Sequence, residues 1–176
     1  MLKNGQLRYW NKMERPDWDS YFLKFAEVAA TRSSCTRSQV GAVIVREKDI
    51  ISTGYNGAPQ YQSNCIQIGS CYRDVHNIPS GTNLELCRAV GSHAESNAIA
   101  LAARNGHSTA GTTIYIIGHY FICNQCKAQI ANAGINRVVL KRKDDIIVEY
   151  WPKKDWTVHP IDKEMQLNIL SYEAEV

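Results

Sequence analysis

From residue 93 onward the apolar pattern changes period again and again, and this alternation most narrows the folds open to the chain. Residues 93–105, "HAESNAIALAARN", run alanines, isoleucine and leucine at helical spacing and stop at Gly106. "TTIYIIG" (112–118) is a strand by its β-branched run. Residues 124–133 read as a second helix, stopped by Gly134, and "RVVL" (137–140) as another strand. Helices that alternate with strands favour an α/β sandwich with parallel pairing, because a parallel return needs a crossover. Upstream, 17–32 predicts a helix: Trp18, Phe22, Phe25, Ala26 and Ala29 recur at three- and four-residue steps, with Asp17 or Asp19 as cap. "VGAVIV" (40–45) and "IISTGYN" predict a hairpin around Glu47-Lys48-Asp49. A further strand at 146–150, a polar linker and a C-terminal helix at 162–172 complete the expected order α-β-β-loop-α-β-α-β-β-α.

One segment resists this reading. Residues 57–91 show little periodicity but hold Pro59, Gly69, Pro79, Gly81 and three cysteines. A structureless loop of roughly that length is uncommon inside a compact domain. Something must tie it down, and a metal is one candidate.

The chemistry sits at two helix starts. His93 and Glu95 open the first helix; Cys123 and Cys126 open the second. An i, i+3 cysteine pair at a helix N-terminus can turn both sulfurs one way, and the free backbone N–H groups there favour thiolates. Two thiolates and a neutral imidazole give zinc three ligands and leave a fourth position for water, as catalytic sites do. Glu95, two residues from the histidine, can reach that zinc-bound hydroxide without binding the metal and shuttle its protons. C-x-x-C alone is also a redox pair or half of a structural zinc site. Paired with H-x-E on the preceding helix it is the signature of zinc-dependent nucleobase deaminases.

Composition excludes other classes. The 176 residues fit one domain; the expected division is a flexible N-terminal arm at 1–16 and a single domain at 17–176. Lys and Arg number 20 against 17 Asp and Glu, a net charge of +3 with no concentrated basic stripe, so nucleic acid is disfavoured as a partner. The densest cluster, residues 141–145, mixes signs and reads as a solvated turn. No apolar run approaches the ~18 residues of a membrane span, and no signal peptide is evident. A cytoplasmic, reducing setting is the expectation, where six cysteines point to metal ligands before disulfides.

The blocks "TRSSCTRSQVGAVIV", "STGYNGAP", "IPSGTNLELCRAV", "HAESNAIALAARNG" and "QIANAGINRVV" resemble, in order, those of the deoxycytidylate deaminase family within the cytidine deaminase superfamily, over about residues 18–140. The resemblance implies a three-layer α/β/α cytidine deaminase-like fold around a mixed, roughly five-stranded sheet. It implies conversion of dCMP to dUMP with release of ammonia, dCTP and dTTP as effectors, and a homo-oligomer, often a hexamer. By position Asn56 contacts the nucleoside, or only makes its Asn-Gly turn. Arg37 and Ser38 are candidates for the phosphate. Arg104 is an effector contact or a solvent-facing helical arginine. Some family members carry a second zinc at positions matching Cys35 and Cys65; Cys71 and Cys87 could complete that site, or all four are buried free thiols.

Three departures from the family lie beside the metal ligands. Ile122 stands where the family has proline, which suits the first helical position. Gly91-Ser92 is inserted before His93. "YIIGHYFIC" is two residues longer than usual and brings in His119 and Tyr120 as candidate substrate contacts. These leave room for deamination of another nucleoside, base or modified nucleotide, or for a non-catalytic zinc-stabilised nucleotide-binding protein.

Overall fold

A computed structural model describes residues 15–79 and 82–158. Helix α1 spans Trp18–Ala30, with Asp17 as its cap; the Asp17 carboxylate accepts from the Ser20 backbone N–H at 2.8 Å. Strands β1 (Gly41–Arg46) and β2 (Asp49–Tyr55) form the expected hairpin, and Glu47 takes the left-handed φ of 55° in its turn. Helix α4 (Ala94–Arg104) leads into β3 (Thr113–Ile117), and α5 (Asn124–Asn132) into β4 (Arg137–Lys141) and β5 (Ile147–Tyr150).

The five strands make one sheet in the order β2-β1-β3-β4-β5. Only β3 and β4 are parallel, and α5 is the crossover between them. Alternation along the strands divides the core. Ala42, Ile44, Ile114, Ile116, Val138 and Leu140 face α4 and α5. Val43, Val45, Tyr115 and Val139 face α1, where Phe22, Leu23 and Ala26 meet them. The result is the expected three-layer α/β/α sandwich. Between α1 and the sheet, Arg137 grips Asp19 through both guanidinium nitrogens at 2.9 and 2.7 Å, and the Tyr115 hydroxyl donates to the same carboxylate.

Gly54 sets the depth of α4. A Cβ at this position would lie 2.1 Å from the Ala94 carbonyl oxygen and 2.5 Å from the Ala98 nitrogen, so the helix backbone rests directly on β2. The long segment is less irregular than its sequence. It holds two single-turn helices, α2 (Cys65–Ile68) and α3 (Tyr72–Val75), and a 3-10 turn at Leu84–Leu86. Polar side chains fasten it. Asn64 and Gln67 form a reciprocal capping box. Arg37 bonds Asp74 at 3.1 Å and the Ile78 carbonyl at 3.1 Å. Buried Arg73 donates to the carbonyls of Pro79 and Thr82.

A short helix α6 (Pro152–Asp155) interrupts what reads as a polar linker. Its signal is Pro152 at the first helical position, with Asp155 accepting from the Trp151 N–H at 2.6 Å. The expected C-terminal helix at 162–172 and nearly all of the N-terminal arm lie outside the described residues. No helix among the described residues is long and apolar enough to cross a membrane.

Candidate active site

Helices α4 and α5 start side by side, and each start carries donors. His93 caps α4 and Cys123 caps α5; both have extended backbone, and neither side chain accepts a capping hydrogen bond. Cys126 follows in the first turn of α5. The His93 Nδ1 lies 3.5 Å from the Cys123 sulfur and 3.4 Å from that of Cys126. Among the described residues these three form the one group of His, Cys, Asp or Glu ligand atoms within 4.8 Å of each other.

The spacing fits zinc. Bonds of ~2.3 Å to sulfur and ~2.0 Å to nitrogen at a tetrahedral angle separate the two donors by about 3.5 Å. The charges fit as well. A hydrogen bond from Cys126 and one from His93, helped by the Cys126 backbone N–H, hold the Cys123 thiol down to about 4. Cys126 is pushed far up, first by the adjacent Cys123 and then by burial. Two touching sulfurs share one proton, and a divalent cation is what allows both to ionise.

Glu95 is buried, at 2% exposure, and its Oε2 has no hydrogen-bond partner among the described residues. Burial, more than any neighbour, raises its carboxyl above the usual carboxylate range. An orphaned buried carboxylate oxygen is costly unless something outside the protein chain satisfies it. It opens into a cavity of about 550 Å³ that is also lined by His93 and Cys123.

The other expected residues fall into three groups. Asn56, Arg37, Ser38, His119 and Tyr120 all line the cavity, but several are already engaged. Asn56 is buried; its Oδ1 accepts from Ser33 at 2.6 Å and from the Val40 N–H at 2.9 Å, and its Nδ2 donates to Ser38 at 2.9 Å. That leaves one N–H for a ligand. The Ser38 hydroxyl donates to the Gly118 carbonyl, and Arg37 is committed to Asp74 and Ile78. His119 is held below its ordinary range by burial first, then by the positive charges of His93 and Lys143. Arg104 is exposed in the last turn of α4 and does not line the cavity.

Cys35, Cys65, Cys71 and Cys87 all line the same cavity as free thiols. Cys65 responds electrostatically to the other three. No three of their sulfurs come within 4.8 Å, so the donor type suits zinc but the spacing here does not close a cage.

The departures from the family pattern resolve physically. Ile122 precedes the cap Cys123 instead of occupying the first helical position, and its side chain is buried in the core at 3% exposure. Inserted Gly91 turns with φ 69°, and Asn97 pins Ser92 while donating to the Tyr55 carbonyl at 2.7 Å. Lys143, inside the charge cluster read as a solvated turn, also lines the cavity. The available signal was its place just beyond the C-terminal end of a parallel strand, where α/β sheets bind ligands.

Residues 16–142 match the family model described as the cytidine and deoxycytidylate deaminase zinc-binding region. The chain is 42% identical over 125 residues to the deoxycytidylate deaminase of Saccharomyces cerevisiae, covering 71% of this chain and 38% of the yeast protein. It is 39% identical over 135 residues to that of Mycobacterium phage D29, covering 74% and 99%. The match therefore spans less than half of the yeast protein but nearly all of the phage one. Among solved structures, the dCMP deaminase of cyanophage S-TIM5 in complex with dCMP and dUMP aligns with a TM-score of 0.54 at 26% identity, covering 74% of this chain and 85% of that one.

Proposed function

On the premise that the chain belongs to the cytidine and deoxycytidylate deaminase zinc-binding family, we propose that it is a zinc-dependent hydrolase converting dCMP and water to dUMP and ammonia. The observation that carries this is the convergence of His93, Cys123 and Cys126 with the unpartnered Glu95 oxygen on one cavity. The named activity of the relatives supports the substrate class.

His93 Nδ1 and the two sulfurs would hold the zinc, which when bound makes water a nucleophile at neutral pH. Hydrolysis breaks the C4–N bond of the cytosine ring; oxygen joins C4 and nitrogen departs as ammonia. Glu95 does the proton work. Its Oε2 takes one proton from water and delivers it to ring N3, then takes the second from the hydroxyl now on C4 and delivers it to the amine, which leaves as ammonia. Burial suits it to both tasks, because a carboxyl raised above its usual range holds a proton more readily between taking it and giving it up. In this reading the remaining Asn56 N–H meets the sugar and the His119 ring flanks the base, which their place in the cavity wall supports.

A second, structural zinc on Cys35, Cys65, Cys71 and Cys87 belongs to the same reading. Its support is that four free thiols line one cavity and three of them act electrostatically on the fourth, Cys65.

An ammonia-release screen over cytidine, deoxycytidine and their mono- and triphosphates tests the proposal. The expected result is dCMP as the best substrate, with uracil absorbance appearing in step with ammonia. A ranking led by an unphosphorylated nucleoside reassigns the substrate. Tight nucleotide binding with no ammonia from any compound identifies a non-catalytic binder.

A further inference from the structure

The cavity is lined by four cations, Arg37, Arg73, Arg88 and Lys143, and they are not equivalent. Arg37 is neutralised by Asp74. Arg73 holds the Pro79 and Thr82 carbonyls, and Arg88 donates to the Ser63 carbonyl at 3.4 Å. Arg88 also acts on Cys65, which places it at the thiol end of the cavity. Lys143 has no ion pair or hydrogen bond among the described residues. The cations beside it do: Lys141 pairs with Glu27 and Asp145, and Arg142 with Asp144.

Strand register puts this free cation beside the catalytic end. In the parallel β3–β4 pair, Ile117 is opposite Lys141. His119 and Lys143 each lie two residues further, past the C-terminal ends of their strands. Lys143 and His119 line one cavity together with His93 and Cys123. The Arg142 guanidinium over the Tyr120 ring, 6.0 Å from its centroid, joins the two loops at the next positions.

We propose that Lys143 binds the 5′-phosphate of the substrate and sets the preference for a nucleotide over its nucleoside. The inference rests on the deaminase reading for its substrate but not for its binding chemistry. A compact ammonium with three rotatable donors, no acid paired with it among the described residues and one face on the cavity suits a phosphate dianion. Arg37, expected from position alone, already has its charge offset by Asp74.

The test compares zinc-loaded wild type, K143A and K143R for equilibrium binding of dCMP and deoxycytidine, and for turnover of both. K143A should weaken dCMP binding about 10–100-fold, the range of one charged hydrogen bond, and leave deoxycytidine binding within about twofold. K143R should recover most of the loss. Added salt should weaken dCMP binding in wild type more steeply than in K143A. Equal effects on dCMP and deoxycytidine, or none on dCMP, overturn the assignment. If wild type binds dCMP with this Lys143 dependence but releases no ammonia, the deaminase reading fails and the assignment stands.

Discussion

Replacing Gly54 with alanine tests whether the sheet positions the catalytic helix. The backbone of Gly54 lies outside the left-handed region, so alanine adds no conformational strain. It adds one methyl group, which falls short of ordinary contact with the Ala94 carbonyl oxygen (3.4 Å) by about 1.3 Å. The atoms it meets are helix backbone and cannot rotate away, so α4 must move as a unit. His93 and Glu95 move with it, while Cys123 and Cys126 stay on α5. Overpacking of this kind costs about 1–3 kcal/mol, which for a chain of this size lowers the melting temperature by roughly 3–10 °C. A misplacement of about 1 Å between reacting groups costs about 100-fold in rate.

Gly41→Ala is the matched control. Its Cβ would lie 2.0 Å from the Ala26 carbonyl oxygen, an equal clash on the opposite face against α1, which carries none of the zinc donors. Zinc per chain, melting temperature and ammonia release should be measured on both variants. G41A is expected to lose stability and keep zinc affinity and kcat; G54A is expected to lose all three. Equal losses in the two, or full activity in G54A, would refute the claim that Gly54 sets the geometry of the site.

Other consequences are open to direct measurement. Arg137, with help from Tyr115, holds Asp19 below its ordinary value of 3.8, so its contribution to stability is full above that value and disappears as pH falls through the lowered one. D19N should cost about 1 kcal/mol at pH 7, a modest figure because the pair is partly exposed, and should flatten the loss of stability below about pH 4. Zinc analysis should find two ions per chain, falling to one in the double variant C65S/C71S, with faster proteolysis between residues 57 and 91; one ion in both proteins rejects the second site. Chelation of the wild-type enzyme should abolish ammonia release and lower the melting temperature, and added zinc should restore both.

The strands and the paired helix starts were readable because each rests on a local rule. Near-continuous β-branched runs in "VGAVIV" and "TTIYIIG" mark strands with two buried faces, and H-x-E with C-x-x-C marks one zinc site whatever lies between. What escaped depends on contacts distant in sequence. Arg73 fastens the long segment by donating to carbonyls six and nine residues away, and no apolar period records that. Asn56 looks like a turn residue or a ligand contact; its three bonds to Ser33, Val40 and Ser38 show a buried brace that also faces the cavity. Lys143 was concealed in a mixed-charge run, where only the parallel register with β3 distinguishes it from Lys141 and Arg142. Position 122 reads from sequence as the first helical position, but with Cys123 as the cap Ile122 lies outside the helix and contributes to the core.

The central claim is that a buried carboxylate moves the protons while His93, Cys123 and Cys126 hold the metal. Glu95→Gln keeps the shape of the side chain and removes that proton chemistry. Steady-state ammonia release from dCMP should be measured alongside zinc content and dCMP affinity in the same preparation. The account predicts a fall of about 100- to 10,000-fold in kcat with zinc at His93, Cys123 and Cys126 and nucleotide binding retained. Turnover within about threefold of wild type in a zinc-loaded E95Q protein would contradict it.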